Sequence, residues 1–167
     1  MIVYVNIFFK EEGMMDMGMT QENRKHVADG LACLLADTYA IYLRTQNFHW
    51  NLTGPDFYFL HILFEKQYEE LAGALDEIAE RIRALGFYVD ASFGAFQKLS
   101  TLESVDQLMP TQEMLKNLLK GHEQVIRESR LLSGKAEKAN DPATVDLMGR
   151  RLNVHEKFVW MLRSHLV

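Results

Sequence analysis

The sequence predicts an all-α protein, a four-helix bundle with one long crossover. Three observations point there: apolar residues recur at helical spacing through four long segments, no alternating strand-like run of comparable length competes with them, and Pro55, Pro110 and Pro142 each stand where a segment begins. Proline is tolerated in the first turn of a helix and disfavoured further in, because it lacks the amide proton that the helical ladder needs.

The first segment carries the stripe Leu31, Leu34, Leu35, Thr38, Tyr42, Thr45, and the second carries Phe57, Phe64, Tyr68, Leu71, Leu75, Ile78, Ile82, Leu85. Leu115, Leu118, Leu119, Val125 and Leu132 mark the third, and Met148, Leu152, Val159, Leu162 and Leu166 the fourth. Each is read as an amphipathic helix of about twenty-five to thirty residues. Short links join them except between Phe87 and Met109, where the crossover has room for a short helix around Ser92 to Leu99. Asp141, directly before Pro142, is placed to cap the last helix by accepting from its free amides.

Residues 20–167 form one domain on this reading, and residues 1–19 an N-terminal extension. The extension opens with MIVYVNIFF, which lacks a basic start, is too short to span a bilayer, and runs into Lys10, Glu11 and Glu12. Neither a signal peptide nor membrane attachment is expected. A formal charge of −5 gives no general attraction to nucleic acid or anionic lipid. The lone cysteine, Cys33, cannot form an internal disulfide, so a reducing cytoplasm is the simpler setting.

Three sets of metal-capable side chains fall between His49 and Glu80. His49 and His61 bracket a turn; Glu65 follows His61 by one helical turn, as Glu80 follows Asp76. The i, i+4 spacing puts each pair on one helix face. Glu65 and Asp76 are separated by eleven residues and His61 and Glu80 by nineteen, which at the helical rise is roughly 16 and 28 Å. One chain cannot close that site. Both spans share a midpoint between Glu70 and Leu71, so an antiparallel copy crossing there sets His61 against Glu80 and Glu65 against Asp76, twice. Ala72 and Gly73 beside that centre suit a close helix approach, since a mid-helix glycine costs about 1 kcal/mol relative to alanine and calls for a packing reason. The competing reading is ordinary: Asp76 and Glu80 are solvated, or loosely paired with Arg81 and Arg83. His122 and His155 lack the Glu-x-x-His partners of a site inside one bundle and are read as satisfied core histidines, with His26 and His165 at the surface.

The run His49-Trp50-Asn51-Leu52-Thr53-Gly54, with Leu60-His61 and Glu65, resembles the first signature of the Dps family, the ferritin-like miniferritins of starved bacteria. Leu75-Asp76-Glu77-Ile78-Ala79-Glu80-Arg81 resembles the second, and His155-Glu156-Lys157 and Trp160-Met161-Leu162-Arg163 extend the likeness towards the C-terminus. The resemblance implies a ferritin-like bundle assembled as a hollow homododecamer, with ferroxidase centres at its two-fold interfaces. The implied ligands are His49, His61 and Glu65 of one subunit with Asp76 and Glu80 of the other; Glu65 stands where many members have aspartate, and Val89 where proline or alanine is frequent.

The implied activity is oxidation of iron(II), with hydrogen peroxide preferred over dioxygen, followed by storage of iron(III) mineral and protection from oxidative stress. Carboxylate and imidazole donors suit this, because anionic ligands favour the iron(III) product, while zinc is the expected competitor at such a site. Trp50, next to His49, is a candidate radical trap or a packed bundle-end aromatic. Asp141 and Asp146 are candidates for a negatively charged three-fold pore. A nucleoid protein that shields DNA is the alternative function. The extension has one lysine against Glu11, Glu12 and Asp16, so DNA binding at neutral pH is expected to be weak.

Overall fold

A computed structural model describes residues 16–103 and 109–166. Its helices are α1 (Gln21–Asn51), α2 (Phe57–Ala84), α3 (Phe93–Leu99), α4 (Thr111–Lys138) and α5 (Pro142–Ser164), with no strand among the described residues. The four long helices and the short crossover helix lie where the apolar periodicity places them. α5, at 23 residues, is shorter than expected. Residues 1–15 of the expected extension lie outside the described part; among the described residues of the extension, Met19 rests against the core.

Helix ends follow from local chemistry. Thr20 caps α1 by accepting from the Asn23 amide, and Ser92 caps α3 by accepting from Ala95. Pro110 is the N-cap of α4, and Pro142 occupies the first turn of α5. Pro55 stands slightly earlier than the rule suggests, in the turn that precedes Asp56 and α2. α2 ends at Gly86, whose φ of 92° is open to glycine and strained for most other residues; the next amide, of Phe87, then bonds back to the Ile82 carbonyl. Asn140, with φ 56°, makes the equivalent stop after α4.

The core forms two apolar clusters along the bundle. One gathers Leu31, Leu35, Ile78, Ile82, Leu132 and Met148; the other gathers Ile41, Phe48, Phe64, Leu71, Leu118 and Leu162. Each fully buried Leu, Ile or Phe contributes about 1.5–3 kcal/mol. Membership sets the helix directions: the C-terminal half of α1 shares a cluster with the N-terminal halves of α2 and α4. α2 and α4 therefore run parallel, and only a long connection can join them.

Polar groups fasten that connection and the bundle's middle. Asp37, fully buried on α1, accepts from the Ser100 hydroxyl, the Thr101 amide and the Thr101 hydroxyl at 2.6 to 2.7 Å, pinning the chain just after α3. Arg151 on α5 forks Glu70 on α2 at 2.6 and 2.7 Å. His155, one turn after Arg151, meets His122 of α4 with their Nδ1 atoms 2.9 Å apart. These histidines are buried as expected, but only their Nδ1 atoms are satisfied, both Nε2 atoms being without a partner. Burial, reinforced by Arg151 and Arg44, depresses His122 to about 3; burial, His122 and Arg151 hold His155 well below its ordinary value.

Candidate metal centre

His49 is carried by the last turn of α1 and His61 by the first turns of α2, so the connecting turn folds one back on the other. Their imidazoles stack at 3.8 Å between centroids, 16° from parallel. His49 Nδ1 lies 2.9 Å from the His61 carbonyl oxygen, and His61 Nδ1 lies 3.1 Å from the His49 carbonyl oxygen. A carbonyl can only accept, so each Nδ1 carries the proton and donates it. Both Nε2 atoms are left with a lone pair, the form in which a histidine binds metal. Two neutral imidazole nitrogens are donors of a chemistry suited to a divalent metal.

Glu65 lies one turn beyond His61 and is half-buried, as is His61, whereas His49 is buried. Further along α2, Ala72, Gly73, Asp76 and Glu80 are all exposed. His61, Glu65, Ala72, Asp76 and Glu80 follow one another at steps of four, seven, four and four residues, so they line one helix face. A side chain built at Gly73 would meet nothing of its own chain within 4 Å, so no internal contact requires glycine there. Among the described residues of one chain, no three His, Cys, Asp or Glu side chains come together to hold an ion. The structure thus brings His49, His61 and Glu65 to one end of this face and leaves Asp76 and Glu80 towards the other.

The ordinary reading has Asp76 and Glu80 solvated or loosely paired with Arg81 and Arg83; both carboxylates are exposed, and Arg81 is engaged elsewhere. Its guanidinium donates to Asp141 at 2.7 Å and to the Thr144 hydroxyl at 3.0 Å, while Arg83 donates to the Phe87 carbonyl. Asp141 is the N-cap foreseen for the last helix, accepting from the Thr144 amide and hydroxyl. Burial alone would raise its carboxyl, but the bonds from Arg81 and Thr144 overcome this and hold it below its ordinary value. Its charge is committed to that cluster. Asp146, by contrast, is exposed and paired with Arg150.

Trp50 is 69% exposed, so a packed bundle-end role is not met within one chain. Sequence reasoning assigned Phe57 and Tyr68 only to an apolar stripe. Phe57 is instead 44% exposed and stacks on His61 at 5.0 Å, and Tyr68 meets His49 edge-on at 5.2 Å. Its position one turn after Glu65 was the available signal. Burial raises the Tyr68 phenol above its ordinary value, with the Glu65 and Glu69 carboxylates adding to the effect. Among the described residues no helix is long and apolar enough to cross a membrane.

Comparison with known proteins agrees with this architecture. A ferritin-like domain model matches residues 28–167. The chain is 37% identical over 154 residues to an uncharacterised low-temperature-induced protein of Nostoc sp., covering 91% of this chain and 86% of that one. It is 36% identical over 148 residues to the DNA protection during starvation protein of Porphyromonas gingivalis, covering 89% and 93% respectively. Among solved structures, DpsC from Streptomyces coelicolor superposes with a TM-score of 0.91 at 26% identity, covering 98% of this chain and 96% of that one. The Dps protein of Vibrio cholerae O1, described as one of the ferritin-like diiron-carboxylate proteins, superposes with a TM-score of 0.88 at 27% identity, covering 95% and 100%. With this fold, both signature runs and relatives of this identity over nearly its whole length, the chain belongs to the Dps family of ferritin-like proteins.

Proposed function

We propose that the chain assembles as a hollow dodecamer built from two-fold dimers, oxidises iron(II) with hydrogen peroxide at centres shared between subunits, and stores the iron(III) product as mineral. The observation that carries this reading is the single face of α2 on which His61 and Glu65 mirror Glu80 and Asp76 about a midpoint between Glu70 and Leu71, beside exposed Ala72 and Gly73. An antiparallel copy laid on that face completes two equivalent sites. Iron(II) is the substrate. His49 and His61 offer Nε2 lone pairs fixed by their Nδ1 bonds, and Glu65 of the same subunit, with Asp76 and Glu80 of the partner subunit, supplies carboxylates. Those anionic oxygens stabilise the higher charge of iron(III) and so favour oxidation. Two iron(II) ions each give one electron to peroxide, whose O–O bond breaks to form two waters with uptake of two protons.

Zinc binds nitrogen and oxygen donors more tightly than iron(II) and should inhibit. Of the two pore candidates, Asp146 keeps its carboxylate at the surface, and Asp141 acts first as a helix cap. In this proposal Trp50, which is exposed and follows His49 in sequence, intercepts stray radicals. The test follows iron(III) absorbance after peroxide is added to protein loaded anaerobically with iron(II). His61→Ala and Asp76→Ala should each slow the rise by about tenfold or more, and unchanged kinetics in both would contradict the assignment.

The name of the Porphyromonas gingivalis relative favours a second reading, protection of DNA. A charge of −5 opposes direct binding to phosphate, so iron chemistry is the primary role in this proposal. A gel-shift titration at low salt and neutral pH should show little retardation without magnesium. Tight binding there would favour the nucleoid role.

A further inference from the structure

A polar layer crosses the bundle interior, apart from the proposed metal centre. Arg151 of α5 forks Glu70 of α2. Gln67 precedes Glu70 by three residues and His155 follows Arg151 by four. Because α2 and α5 run antiparallel, both residues lie on the same side of that ion pair, roughly 5 and 6 Å along the bundle. His122 of α4 meets His155 there, Nδ1 to Nδ1 at 2.9 Å. All three side chains are buried. The Gln67 amide oxygen and nitrogen and both Nε2 atoms have no protein partner. Buried polar atoms of folded proteins nearly always find a partner, in protein or in water.

The chemistry of these atoms selects the partner. Burial keeps both imidazoles neutral at neutral pH, and a neutral imidazole has one N–H and one lone pair. The Nδ1 contact uses the proton of one ring and the lone pair of the other. One Nε2 is therefore left as an acceptor and the other as an N–H donor, while Gln67 adds a carbonyl acceptor and an amide donor. An occupant has to donate and accept. A cation is opposed by the positive charges of Arg151 and Arg44, which already act on His122. An anion would carry its charge into the core, where Arg151 is already neutralised by Glu70. Water, with two protons and two lone pairs, meets every requirement.

We infer that Gln67, His122 and His155 hold ordered water inside each bundle, bridging the Gln67 amide of α2 to the imidazole Nε2 atoms of α4 and α5. A fully satisfied polar network fixes the helices that share it. Here the bridge ties the helix carrying His61, Glu65, Asp76 and Glu80 to the α4–α5 pair. Nothing in the bridge depends on iron oxidation.

The test is a high-resolution crystal structure of the full assembly at neutral pH. Wild type should show ordered density about 2.7–3.2 Å from a Gln67 amide atom and from at least one Nε2. Crystals soaked in cobalt(II) and, separately, in bromide should give no anomalous signal at that position. Gln67→Met, which roughly keeps the side-chain volume and removes the amide, should lose the bridging density. Wild-type crystals with no density there, or with the Gln67 amide in direct contact with an Nε2, would overturn the site. An anomalous peak would make it an ion site and overturn the assignment of water. Unchanged density in Gln67→Met would overturn it equally, because the amide would not be holding the water. Where the variant fails to assemble, the wild-type crystals alone decide.

Discussion

His49 and His61 each donate an Nδ1 proton to the other's backbone carbonyl, at 2.9 and 3.1 Å. Each tautomer is therefore set by the other residue's backbone, which a side-chain substitution leaves in place. Removing one ring loses its own lone pair and the stacking contact but keeps the acceptor that orients the other. His49→Ala and His61→Ala should each weaken cobalt(II) or zinc(II) binding by about 10–100-fold, and the double variant should lose clearly more than either. Competition titration against a metal indicator measures all three; a double variant no weaker than a single one would contradict two independently preset ligands.

Gly73 tests the face on which a second chain is proposed to lie. Its missing side chain meets nothing within the subunit, so Gly73→Leu should preserve the helical content of the chain and raise its intrinsic helix propensity by a few tenths of a kcal/mol to about 1 kcal/mol. In the proposed assembly a bulky residue beside the two-fold axis would separate the helices. Light scattering should report a smaller particle with unchanged far-ultraviolet circular dichroism. A full-size, fully stable particle would place the partner elsewhere.

The buried His122–His155 pair predicts a specific pH dependence. Both groups have folded-state values below the ordinary 6.5, His122 at about 3, so the unfolded chain binds more protons than the native one. The stabilising effect is complete above pH 6.5 and is lost as pH falls towards 3. Asp141, itself lowered from 3.8, adds to acid sensitivity only at the bottom of that range. His122→Gln, which keeps a polar group for His155, should flatten the urea-denaturation stability profile between pH 6 and pH 4, a range given as an approximate window. A profile as steep as wild type would remove the pair as its cause.

Asp37 is the anchor of the crossover, with three donors and no exposure. Asp37→Ala strands those donors and should cost about 2–4 kcal/mol. Asp37→Asn keeps an acceptor oxygen and should recover part of the loss. Guanidinium denaturation of both variants measures it, and a loss below about 1 kcal/mol in the alanine variant would show that the crossover is held by other contacts.

Much of this architecture was readable from sequence because its causes are local. Apolar spacing, three prolines and the Asp141 cap lie within one or two helical turns of what they determine. The two pairs proposed as ligands on α2 share one face for the same reason, and the arithmetic of one straight helix links them. The reciprocal His49–His61 bonds depend on how the turn at Gly54 folds α1 against α2, which spacing alone does not specify. Tyr68 and Phe57 were placed on a stripe and proved to border the histidines, because a stripe is silent about which neighbour it faces. Asp37 meeting Ser100 and Thr101, and Arg151 meeting Glu70, are long-range polar pairs of a kind that periodicity does not encode.

The central claim is that each centre draws ligands from two chains, and subunit complementation tests it most directly. His61→Ala and Asp76→Ala proteins are prepared separately, dissociated, mixed, reassembled and assayed for iron(II) oxidation by peroxide. In a mixed dimer one centre loses both residues and the other retains both. Each variant alone should be nearly inactive, and the mixture should regain a substantial part of wild-type activity. A reassembled mixture of the same particle size that stays as inactive as its parents would contradict a shared centre.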